Sequence, residues 1–120
     1  MEPVANFVST LFATRTQAHI FHLQTDSFAA HKALNEYYDQ IVELVDSFIE
    51  GYQGRYGIIT NYTSPSTFKE DGAALTYFEG VSAYIEQIRK RLPSDSYLQN
   101  KVDEIVDLVE STKYKLKFLR

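Results

Sequence analysis

Residues 31–50, HKALNEYYDQIVELVDSFIE, decide the fold. With their flanks they carry Ala30, Leu34, Tyr37, Ile41, Leu44, Val45, Phe48 and Tyr52 at the three- and four-residue spacing of an amphipathic helix. The same stretch holds a second, polar pattern. At about 100° per residue, His31, Asn35, Val42, Asp46 and Glu50 fall within one sector of about 100°, and Asp39 joins them. That sector flanks the apolar stripe, so its side chains belong at the edge of a bundle or at a contact with a second subunit. Histidine and carboxylate gathered at helical spacing is what a first-row metal such as iron needs.

Working outward, the polar break Gln24-Thr25-Asp26-Ser27 offers a cap for this helix, which spans about 27–52 and is ended by Gly51, Gly54 and Gly57. Upstream, Val4, Phe7, Val8, Leu11, Ala18 and Phe21 predict a helix over about 3–23, opened by Pro3. His22 lies near the middle of its apolar stripe and His19 on the flank. Downstream, Thr67 with Glu70 predicts a capped third helix over about 66–92, stopped by Pro93. Ser94 caps a fourth over about 94–119, with Asp95 in its first turn and Lys113, Lys115, Lys117 and Arg120 in its last.

Four helices of similar length in a chain of 120 residues predict one domain, 1–120, built as an all-α antiparallel four-helix bundle. The long connection, 53–65, decides the topology. Twelve extended residues reach about 40 Å, just the length of a 25-residue helix, and the apolar Ile58, Ile59 and Tyr62 favour packing along the bundle. The expectation is a lengthwise crossover of the ferritin-like kind, against a compact hairpin.

Bulk properties narrow the function. The net charge is −4, with no basic arm, which argues against a nucleic-acid binder; the Arg89-Lys90-Arg91 cluster is explained by solvation. No apolar run approaches the roughly 20 residues that span a bilayer, and the start lacks a signal peptide's basic region, so a cytoplasmic setting is expected. With no cysteine, thiolate and disulfide chemistry are out. Nor is there a nucleophile constellation or a phosphate loop at Gly54 and Gly57. Each candidate ligand also has an ordinary alternative. Asp46 and Glu50 suit a solvated acidic edge, His31 a surface position, and His22 a hydrogen-bonded core position.

The run HLQTDSFAAHKALNEYYDQIVELVDSFIEGYQG, 22–54, resembles the Dps class of mini-ferritins, and especially small ferritin-like proteins of tailed phages. In that class a histidine ends the first helix and a second opens the next, with an Asp and a Glu fifteen and nineteen residues further on; His31, Asp46 and Glu50 hold those positions, and Phe28 matches a phenylalanine. The resemblance implies a ferroxidase centre shared across a dimer interface. His22 and His31 of one subunit would face Asp46 and Glu50 of another, with Fe2+ as substrate, Fe3+ as product, and iron sequestration as the purpose. It also implies a homo-oligomer, from the dimer that suffices for the site to a shell of twelve, and a host cytoplasm if the chain is phage-encoded. His19 is the other candidate for the first histidine, and Asn35 and Asp39 are secondary ligand candidates. The chain departs from the class in having Asn35 where an acid stands, Leu23 for a tryptophan, and no basic arm. Those departures suit the alternative, a non-catalytic structural or interaction bundle of a phage with a degenerate metal site.

Overall fold

The computed structural model describes residues 2–63 and 73–119, and these form a four-helix bundle. Helix α1 is Glu2–Gln24, α2 Phe28–Tyr56, α3 Ala74–Ile88 and α4 Ser96–Phe118, with a 3-10 turn at Arg89–Arg91. The first turn is set as the sequence predicts. The Ser27 hydroxyl caps α2 by accepting from the Ala30 N–H at 3.2 Å, and the Thr25 hydroxyl accepts from the Ser27 N–H at 3.1 Å.

Three boundaries differ from expectation. Helix α2 runs through Gly51 and Gly54 and stops only at Gly57, whose φ of +101° no β-carbon-bearing residue adopts easily. Packing explains the overrun. Tyr52 is buried, and Tyr56 donates its hydroxyl hydrogen to Asp95 of α4 while Arg55 pairs with the same carboxylate at 2.9 Å. These contacts oppose a cost of about 1 kcal/mol for each of the two glycines. Asp95, not Ser94, is the N-cap of α4, and its carboxylate is spent on α2 rather than on its own helix. Helix α3 begins after Ala73, which is extended, so one helix over 66–92 does not form; the Thr67–Glu70 capping box lies outside the described residues.

Side-chain pairs fix the directions. Phe7 meets Phe48 at 5.1 Å between ring centres, and His22 meets His31, so α1 and α2 are antiparallel. Lys101 donates to Ser47 and Ser82 to Glu110, so α4 opposes both α2 and α3. Phe21 meets Tyr77 and Tyr84 donates to Asn6, which sets α3 against α1. Helices α2 and α3 are therefore parallel, and the link from Gly57 to Ala73 joins opposite ends of a body 44 Å long. The expected lengthwise crossover is the topology found. Its first residues fold back on α1 and α2: Ile59 is buried, and its N–H and the Tyr62 hydroxyl both donate to Gln53 Oε1.

The core runs the length of the bundle, from Val4, Phe7 and Leu11 through Tyr37, Ile41 and Phe48 to Phe78, Ile85, Leu98 and Ile105, with no buried unpaired side-chain polar atom among the described residues. Tyr37 is 0% exposed, stands edge-on to Phe78 at 4.7 Å, and has its hydroxyl 2.7 Å from Thr14 Oγ1. The opposite hairpin is closed by Gln99. Its amide donates to the Arg89 and Pro93 carbonyls, and its Oε1 accepts from the Arg89 guanidinium.

Candidate metal centre

The α1–α2 turn brings His22, the basic residue of α1's last turn, beside His31, one turn into α2. The two imidazoles stack at 3.6 Å between centres, tilted by 21°. Each reaches across to the other's backbone. His22 Nδ1 lies 2.7 Å from the His31 carbonyl oxygen, and His31 Nδ1 lies 2.9 Å from that of His22. A carbonyl only accepts, so both Nδ1 atoms are donors. In the neutral rings the hydrogen therefore sits on Nδ1, and both Nε2 atoms carry free lone pairs. This backbone-anchored arrangement is the one metal-ligating histidines commonly adopt. Residue spacing gives no sign of these reciprocal bonds, because they depend on how tightly the three-residue turn closes.

His22 is buried and His31 exposed, so the pair opens at the surface, beside the exposed Leu23 and Phe28. His19 stacks on Tyr38 at 4.3 Å and meets His22 edge-on at 5.8 Å, which makes it a neighbour of the pair and not a member. Tyr38 donates to Asn35 Oδ1, and Asn35 Nδ2 donates to Asp39 Oδ2 at 2.9 Å. The amide of Asn35 is thus engaged at both ends within its own helix. Of the two tyrosines next to the polar stripe, Tyr37 is a core residue and Tyr38 lies against the histidines.

Asp46 and Glu50 stand apart from them. Fifteen residues of helix separate His31 from Asp46, about 22 Å. Among the described residues no three histidine or acidic side chains come together closely enough to hold a metal ion. Asp46 instead lines an open groove of about 480 Å³ formed by α1, α2 and the start of the link after α2, with Phe12, Thr16, Ile49, Gln53 and Tyr62. Glu50, one turn on, is exposed. One subunit places the two imidazoles at one point and the two carboxylates about 22 Å further along α2, so these four side chains do not meet within a single subunit.

Residues 22–116 match the model of a family of unknown function, DUF5856. That is most of the chain, and the chain belongs to this family. It is also 26% identical over 110 residues, 92% of its own length and 84% of the other's, to an uncharacterised 14.6 kDa protein of Enterobacteria phage T4 from the mobD-ri intergenic region. No solved structure matches.

Proposed function

We propose that this DUF5856 member is a ferritin-like, homo-oligomeric iron-binding protein of a phage, with His22 and His31 of one subunit and Asp46 and Glu50 of another as the ligand set. The carrying observation is the reciprocal anchoring of the two imidazoles through Nδ1, which leaves Nε2 of each ring as the nitrogen that could take a metal ion. Two imidazoles with two carboxylates suit Fe(II) and, by affinity order, also Co(II) and Zn(II). The crossover between parallel α2 and α3 supports the ferritin-like part of the reading, since one long crossover is that fold's connectivity. The likeness to the phage T4 protein supports a phage origin. Ferroxidase activity, the finer part of the proposal, follows if iron is bound with positions left open for dioxygen or peroxide.

A second reading has its own observation. The same pair of bonds staples the α1–α2 turn, and the His22 carbonyl it satisfies belongs to α1's last turn, where carbonyls lack helical partners. On that reading the bundle is a non-catalytic interaction module. Anaerobic titration with Fe(II), followed by calorimetry, separates the two. The proposal expects saturable binding at about one ion per chain, abolished by His31→Ala with Asp46→Ala, and Fe(III) absorbance on admitting peroxide. Wild-type protein that takes up no stoichiometric ion would sink it.

A further inference from the structure

We infer that the groove along α1 and α2 binds a small organic ammonium ion carried on an apolar or aromatic body. The inference goes beyond the iron reading and does not depend on it. It starts from Asp46, which is half-buried and lines the groove. Among the described residues the Asp46 carboxylate has neither an ion-pair nor a hydrogen-bond partner; the four ion pairs use Glu36, Asp95, Asp103 and Glu110 instead. No lysine or arginine lines the groove beside it. A carboxylate partly withdrawn from water and left without a cation gains from one that is brought to it.

The walls give the class of the ligand. With Phe7 packed on Phe48, the antiparallel helices set Ser9 about level with Asp46, and both line the groove. A hydroxyl and a carboxylate are acceptors for the three hydrogens of an ammonium. Because the helices run oppositely, the next turn of α1 places Phe12 to one side of the carboxylate, and the next turn of α2 places Ile49 to the other. The Phe12 ring offers its face to a cation as well as its area to an apolar body. Tyr62 closes the groove and is fixed in advance: its hydroxyl and the Ile59 N–H both donate to Gln53 Oε1, and Ile59 is buried. The volume of about 480 Å³ is in the range of small-molecule sites. A bare metal ion would find a single carboxylate in this groove and needs further ligands from elsewhere, whereas an ammonium does not.

Tryptamine is the probe, since the chain has no tryptophan and the indole emission belongs to the ligand alone. In chelator, its fluorescence anisotropy should rise saturably with added protein. Tryptophol, the same indole with a hydroxyl in place of the ammonium, should bind about tenfold or more weakly, and tryptamine should bind Asp46→Asn with a similar loss. Phe12→Ala, which keeps the carboxylate, should weaken tryptamine about threefold. The comparison of the two indoles uses the unaltered chain, so it decides the matter even where a variant does not fold. No saturable binding, equal binding of the two indoles, or undiminished tryptamine binding by either variant with the wild-type helical circular dichroism would overturn the inference. The titration uses no metal. Iron uptake without tryptamine binding would therefore defeat only this inference, and tryptamine binding without iron uptake only the iron proposal.

Discussion

Consider the buried pair Thr14 and Tyr37, where the two single substitutions should not cost the same. Thr14 Oγ1 is 2.6 Å from the Leu11 carbonyl and donates to it, so the Tyr37 hydroxyl must be the donor in its 2.7 Å bond to Thr14. Tyr37→Phe removes that donor and leaves Thr14 with its own bond to Leu11. The loss is one ordinary hydrogen bond, about 1 kcal/mol. Thr14→Val keeps the volume but leaves a phenol hydroxyl with no acceptor at a site that is 0% exposed. An unsatisfied buried donor costs more, about 2 kcal/mol. The double variant is apolar on both sides and should cost about 1 kcal/mol, well below the sum of the singles. Urea unfolding followed at the helical circular-dichroism band measures all four proteins. Thr14→Val milder than Tyr37→Phe, or additive costs in the double variant, would refute the donor assignment.

The remaining predictions concern the helix end and pH. Gly57→Ala meets open space, so its cost of about 1 kcal/mol should come from the φ of +101° alone and appear as a lower melting temperature; a neutral result would mean that this backbone angle is not held. Burial pushes the Tyr77 phenol up to about 12 and that of Tyr37 higher still. Both favour the protonated form in the folded state, and an unfolded tyrosine ionises near 10. Their stabilisation is therefore complete below pH 10 and lost as pH rises towards about 12. The urea midpoint should fall across that window, and less steeply in Tyr37→Phe; a midpoint flat from pH 9 to about 11.5 would contradict the burial argument.

The helices were legible wherever periodicity and caps agreed. Ser27 and the apolar stripe through Phe48 place α2 correctly at its start, because local capping chemistry and the core-facing face both act there. Its end was not legible. Glycine reads locally as a stop, whereas Tyr56 and Arg55 are held by Asp95, 39 and 40 residues away in sequence. The crossover was legible because link length and apolar content are one-dimensional quantities. For the centre, the sequence reading correctly placed His22 inside and His31 outside. It missed that both rings are tied to backbone carbonyls and that Asn35 is consumed by Tyr38 and Asp39, since such bonds leave no trace in spacing.

All four proposed ligands lie on the antiparallel pair α1 and α2, and none on α3 or α4. The molecule thus divides its labour by halves. The amino-terminal hairpin carries the candidate chemistry, while the carboxy-terminal one is a buttress that stiffens it from behind. Drift in the buttress would leave the ligands in place so long as its inward residues still filled the core, whereas on α2 the same turns that present Asp46 and Glu50 also bury Val45, Phe48 and Tyr52, so a one-residue insertion there would strike the centre and the core together.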